Sequence, residues 1–556
     1  MRTLVLVPVL FLSTLLFHGQ TLSPIPPEAS HALAKLQKEP FRAHMAFLAD
    51  DLLEGRGAGK RGHEIAARYL ATQFEALGLR PAGDNGTYFQ RVPLRQITVQ
   101  PDQCAVVITK HSGVSELKWG QDFVMLGSAD KPETSVEAPV EFVGYGVTTP
   151  DGRYDDYAGA DVQGKIAAVL YGAPPALPSE LRAHLSDWPE KLRAAQNHGA
   201  VGLIVLWTPE QEKLVPWPLV ISMAGFPSMD WLDRNGNPND TFPGVKGTAV
   251  LTAAASEELF KNAAKSWAAV LQDAKSSKPQ SVALQVEMRL RQVSRHEAIS
   301  SPNVIAVLPG SDPKLRDEYV VYSAHLDHLG IGQQVNGDDI YNGAIDNASG
   351  SAALLVMAAA FQSLPKAPAR SILFMAVTAE EEGLLGSDYF AHFPTLPIPR
   401  LVADINIDEA GPPLFKLRDV VAYGAEDSSL GRTLQREAER LDLKVSPDPE
   451  PEQVLFIRSD QYSFVRQGVP SVFVVAGTEA ADPKVNGKKI TDDWVATRYH
   501  SPSDDMNQPM DLDAAVQFMQ LNFLLGYDVA QEPQRPTWNP GDFFGETYGR
   551  SHAANP

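Results

Sequence analysis

Tyr319-Val320-Val321-Tyr322-Ser323-Ala324-His325-Leu326-Asp327 is an apolar run that ends in a histidine and an aspartate. Residues 319–324 read as a β-strand, so the polar pair falls just past its carboxyl end. Four further pieces have the same texture: Gly343-Ala344-Ile345-Asp346-Asn347, Glu380-Glu381-Glu382-Gly383, Ile407-Asp408-Glu409-Ala410-Gly411 and Tyr499-His500-Ser501-Pro502-Ser503-Asp504. Each follows an apolar run or lies in a loop rich in turn residues. Histidines and carboxylates delivered together are the donor mixture of a dinuclear zinc site, in which one carboxylate is shared between the metals.

Outward from this run, strand and helix alternate from Asn303 onward. Residues 304–308, 372–377, 401–407 and 471–475 are the other strand candidates, and 351–364 and 383–392 are helices between them. Such alternation predicts an α/β fold with a largely parallel sheet covered on both faces. Ligands of such sheets bind beyond the carboxyl ends of the strands. His325, Glu380-Glu381 and Asp408 all fall there.

The rest of the chain divides by texture. Residues 28–130 open with amphipathic helices, broken at Gly55-Arg56-Gly57-Ala58-Gly59 and stopped by Gly78. Residues 131–255 hold short strands and Gly- and Pro-rich loops, and read as an inserted domain. The main domain resumes over 256–532, with its catalytic core at 300–530. The Pro-, Gly- and Asn-rich tail 533–556 reads as irregular.

Residues 1–20 contain Arg2, a short apolar stretch and a polar exit, the parts of a secretory signal peptide. The apolar stretch from Leu4 to Phe17 is shorter than the roughly 20 residues a membrane span needs, and no later segment reads as long enough. A secreted or periplasmic location is expected. The 68 acidic against 48 basic residues give a formal charge of -20, which repels nucleic acid and anionic membranes as partners. Cys104 is the single cysteine, so an intrachain disulfide and a thiolate metal cage are both excluded. Its apolar neighbours make it a small buried hydrophobe rather than a nucleophile.

The ordered motifs resemble the co-catalytic zinc exopeptidase family that includes aminopeptidase Y, secreted bacterial leucyl aminopeptidases and glutamate carboxypeptidase II. Residues 136–252 resemble the protease-associated domain that many members carry. Leu53-Glu54-Gly55-Arg56-Gly57 through Gly78-Leu79-Arg80-Pro81 resembles the start of their peptidase domain. The resemblance implies a zinc-exopeptidase α/β/α sandwich with a mostly parallel central sheet, interrupted by a β-rich protease-associated domain. It also implies two Zn2+ per chain, with Co2+ or Mn2+ as substitutes.

By the same resemblance, His325 and Asp408 bind one zinc, Glu381 and His500 the other, and Asp346 bridges them. Asp327 would orient His325, Glu380 would be the general base, and Tyr499 would help hold the oxyanion. Gly383-Leu384-Leu385-Gly386-Ser387 sets the register of the glutamate run. Taken alone, that run reads as an acidic first helical turn, and Asp346 as an Asx turn; the company of the other motifs reverses this. The chain departs from the family at Ile345, at Glu409 (where methionine is frequent) and at Gln461 (where histidine is). Asp460 and Gln461 are read as pocket or loop-ordering residues.

The activity implied is that of an exported aminopeptidase acting on peptides. The alternative is a carboxypeptidase of small acidic peptides, which would want an arginine cluster; Arg458 and Arg498 lie beside the motifs. A glutaminyl cyclase ranks lower. A non-catalytic receptor of transferrin-receptor architecture is disfavoured because every expected ligand is present.

Overall fold

The computed structural model describes residues 24–549 apart from 150, 240, 277–279 and 410–413. The expected leader at 1–20, Ala410, Gly411 and the last residues of the tail lie outside the described residues.

Four mutually parallel strands form the middle of the main sheet, in the order Ser371–Val377, Tyr319–His325, Leu401–Asn406 and Ser471–Ala476. Val282–Leu308 flanks them antiparallel on one side and Asp419–Tyr423 on the other. Every residue of Ser371–Val377 and Leu401–Asn406 is buried. Parallel strands must be covered on both faces, and these are. Val320, Tyr322, Phe374 and Ala376 face the helices Arg61–Ala76, Gly350–Gln362 and Leu512–Gln531 in one core. Val321, Leu373 and Met375, one residue out of phase, face Phe390 and Phe464 in another. The result is three layers, α/β/α. Phe374 ties the first core together, its ring 5.6 Å from Tyr322 and 6.0 Å from Phe74. Truncating it to alanine would cost about 3–5 kcal/mol.

Val282–Leu308 is a single strand of 27 residues that belongs to two sheets. Its residues 294–308 pair with Phe89–Val99 and Ser371–Val377 in the main sheet. Its residues 282–293 pair with Ala105–Lys110 and Glu133–Phe142 in a second sheet. There Val282, Leu284, Val286, Met288 and Leu290 are buried while the residues between them are exposed, as a sheet wet on one face requires. Ile166–Leu170, Gly202–Leu206 and Thr248–Leu251 extend that sheet, which has its own core around Phe142, Leu206, Trp267 and Met288.

The second sheet therefore reaches from 105 to 293, beyond the 131–255 expected for an insert. Strand pairing across such distances leaves no local mark in sequence. The tail also differs from expectation. Phe543–Thr547 is a short helix capped by Asp542, whose Oδ1 accepts from the Gly545 N–H at 2.8 Å. Phe544 anchors it among Tyr423, Phe456 and Tyr462. Aromatic burial overrides a composition that reads as loop.

One helical segment among the described residues, Ala344–Gln362, is long and apolar enough to cross a membrane, although no later segment was expected to be. It is 94% buried within the protein, which accounts for its apolar surface.

Candidate functional site

Register brings the predicted residues to one edge. His325 lies opposite Val377, and Ser323 opposite Asn406, so the loops after all three strands leave the sheet side by side. Glu380 and Glu381 follow Val377, and Asp408 follows Asn406. Asp346 comes from the turn ahead of Gly350–Gln362, and His500 from the loop after Gly487–Thr497.

The two oxygens of Asp346 face different histidines: Oδ1 lies 3.3 Å from His325 Nε2, and Oδ2 lies 3.2 Å from His500 Nε2. Asp408 Oδ1 is 3.0 Å from His325 Nε2, and Glu381 Oε2 is 3.1 Å from His500 Nε2. His325 Nδ1 is 3.1 Å from the Asp327 carbonyl, which can only accept. That contact puts a proton on Nδ1 and turns Nε2 inward as a ligand atom. Glu380 Oε2 sits 3.9 Å from the same nitrogen.

The Asp327 carboxylate does something other than expected. It accepts the backbone N–H of Glu380 at 3.2 Å and of Glu381 at 3.4 Å, while its carbonyl holds His325. It thus fixes the glutamate turn and the histidine at once. Tyr499 stacks on His500 with centroids 3.9 Å apart, and its hydroxyl accepts from Arg458 Nη2 at 3.0 Å. Gln461 is fully buried and orders the loop: Nε2 donates to the Phe456 carbonyl at 2.6 Å, and Oε1 accepts from Asn406. The Glu409 N–H donates to Asn347 Oδ1 at 3.1 Å, and Asp338 and Asp339 lie exposed in a hairpin.

Three residues of this site were not among the predicted ones. His328 Nδ1 lies 2.5 Å from Glu381 Oε1, while His500 faces Oε2. Asp504 accepts from the N–H groups of Ile345 and Asp346, at 3.0 and 3.1 Å, and so holds the Asp346 turn. Asp504 closes one of the quoted motifs, and His328 directly follows another. Arg56 is fully buried and donates to the carbonyls of Leu48, Leu326, Asn342 and Gly343. It ties the loop after His325 to the loop before Asp346. Gly55 precedes it at φ +66, where a Cβ would strike the Tyr341 and Gly330 carbonyls. The signal for Arg56 was a lone arginine between glycines in a helix break.

Charge crowding is severe. Burial, then the neighbouring Asp408 and Glu381 charges, push the Glu380 carboxyl well above its ordinary range, against the pull of His325. Burial opposes charge on both histidines, but the carboxylates win. Asp408 and Glu380 hold His325 well above the usual imidazole value, and Glu381 and Asp346 hold His500 up to about 10. In return, and against burial, His500 and His328 keep Glu381 down at about 2. Four carboxylates and two imidazoles in one cleft demand further positive charge. Ligand atoms of His325, Asp346 and Glu381, and again of His325, Glu380 and Asp408, come within 4.8 Å of one another. Imidazole nitrogen with carboxylate oxygen is a donor set that suits zinc, so the residues fit the metal.

A parallel-sheet α/β/α sandwich with a His- and carboxylate-lined cleft at its strand ends defines the class. Within it, residues 303–525 match the model of peptidase family M28. The chain is 28% identical over 224 residues to a probable leucine aminopeptidase 2 of Aspergillus oryzae, covering 38% of this chain and 42% of that one. It is 34% identical over 128 residues to the aminopeptidase NAALADL1 of Mus musculus, covering 22% of this chain and 15% of that one. These matches span less than half the length of the curated relatives. The solved aminopeptidase from Aneurinibacillus sp. strain AM-1 shares the fold, with a TM-score of 0.52 at 18% identity over 92% of this chain and 98% of that one.

Proposed function

We propose that the chain is a zinc-dependent aminopeptidase that holds two metal ions. The observation that carries this reading is Asp346, whose two oxygens face two different histidines at 3.3 and 3.2 Å. His325 with Asp408 would hold one ion and His500 with Glu381 the other, Asp346 serving both. Zinc, when bound, supplies Lewis-acid polarisation of the scissile carbonyl and a water acidified to near neutrality. The M28 match and the aminopeptidase names of the relatives support the reaction class.

The chain's own residues then do the following. Glu380, buried beside the cluster, takes the proton of the attacking water and passes it to the leaving amine nitrogen. Because Arg458 donates to the Tyr499 oxygen, the tyrosine keeps its own O–H to offer the developing oxyanion. Asp327 and Asp504 hold the two carboxylate turns through backbone N–H groups, so the site is rigid before substrate arrives. The carboxypeptidase alternative loses support here. Arg498 donates to the Ser503 carbonyl at 2.7 Å, so it serves its own loop rather than an arginine cluster.

The test is a mixed pool of free and N-acetylated peptides incubated with zinc-loaded protein and read by mass spectrometry. Stepwise loss from free amino ends, with acetylated peptides intact, is expected. Trimming from the carboxyl end, or equal attack on acetylated peptides, overturns the proposal.

A further inference from the structure

A cavity of about 220 Å³ lies where the two sheets' territories meet, beside the reaction cleft. Tyr171, Trp188 and Val205 line it from the second-sheet side, and Val454, Ile457 and Arg458 from the main domain. It touches the site directly. Arg458 donates to the hydroxyl of Tyr499, whose ring stacks on His500. The next residue along the chain, Ser459, donates to Asp408 Oδ2 at 2.8 Å. One short segment is therefore both cavity wall and support for the carboxylate cluster.

Size limits the occupant. An apolar cavity of about 150 Å³ accepts benzene, whereas sites for drug-sized molecules start near 300 Å³. The cavity lies between, which suits one ring-bearing side chain. Chemistry narrows it further. Two aromatic rings and three branched aliphatic side chains make the walls, and rings favour offset or edge contacts with another ring. Lys191 also lines the cavity, but its Nζ is spent on the carbonyls of Tyr145 and Gly172 at 2.6 and 2.7 Å. Arg458 and Lys191 against the single acid Asp187 make the lining unfavourable to a basic side chain.

We infer that this cavity is the specificity pocket for an aromatic side chain flanking the scissile bond, and that residues outside the stretch matching M28 form most of it. The inference rests on the hydrolytic reading above. It makes Trp188 and Tyr171 specificity residues, remote from the reacting atoms.

The experiment compares kcat/KM of the zinc-loaded full chain on Phe-Ala, Ala-Phe, Leu-Ala, Lys-Ala and Ala-Ala. A preference for phenylalanine over alanine on the order of 10- to 100-fold is expected at one of the two positions, which identifies the residue bound. Trp188→Ala should shrink that ratio by about tenfold and leave Ala-Ala turnover unchanged. Ile457→Phe, filling the cavity from the opposite wall, should exclude the aromatic substrate. Circular dichroism melting checks that both variants fold. Unchanged ratios in folded Trp188→Ala and Ile457→Phe overturn the pocket while leaving the hydrolase standing. No hydrolysis of any dipeptide by the wild type overturns the hydrolase reading itself, and the pocket with it.

Discussion

Histidines in two parts of the molecule are pushed in opposite directions. In the cleft, His325 and His500 face carboxylates and are held above the usual imidazole value. In the packed interior, His63 and His184 face carbonyl, hydroxyl and aromatic groups, and burial holds both down to about 4. His184 Nδ1 is 2.6 Å from the Tyr462 hydroxyl, amid Phe543 and Phe544. One residue type thus works as a would-be cation in the first region and as a neutral packing ring in the second. The lesson is that burial alone does not mark a functional histidine. Its carboxylate company does.

The comparison can be broken at several points. The largest effect belongs to the cleft: Glu380→Gln should lower kcat/KM by about 10²- to 10⁴-fold with zinc content unchanged by elemental analysis. Loss of the metal in that variant would recast Glu380 as a ligand. Arg56→Met comes next, because it strands four buried carbonyls. It should cost more than about 2 kcal/mol in chemical denaturation, and lower zinc affinity as the His325 and Asp346 loops separate. Equal zinc affinity in the folded variant would make Arg56 a packing residue alone.

The interior histidines supply a pH-dependent effect. The unfolded chain takes up protons on His63 and His184 near pH 6.5, while the folded state resists until about 4. Stability present above pH 6.5 is therefore lost as pH falls through that window, by up to about 3 kcal/mol per ring. His184→Gln should flatten the slope of unfolding free energy against pH there, and an unchanged slope would remove His184 as its source. At the bottom of the scale stands the exposed pair Arg91–Glu64. Arg91→Gln should change stability by less than about 1 kcal/mol; a larger loss in denaturant titration would show the pair to be part of a network.

Much of the cleft was legible because its chemistry is local. His325, Glu380, Glu381 and Asp408 each follow a recognisable apolar strand, and the sheet's parallel register does the rest. What escaped reading depends on distant partners. The strand Val282–Leu308 showed only its last five residues as an apolar run, since its first half alternates and finds its partners some 150 residues away. The role of the Asp327 carboxylate lies in backbone N–H groups more than 50 residues on. Trp538, Phe543 and Phe544 looked like loop because their Pro and Gly neighbours outvoted them, although three large aromatics seldom stay in water.

The most direct test of the central claim is a zinc titration of metal-free protein, followed by calorimetry in buffers of different ionisation enthalpy. Two zinc ions per chain should bind with net proton release, because the cleft imidazoles must give up protons to act as ligands. Fewer than two ions bound, or binding without proton release, would contradict it.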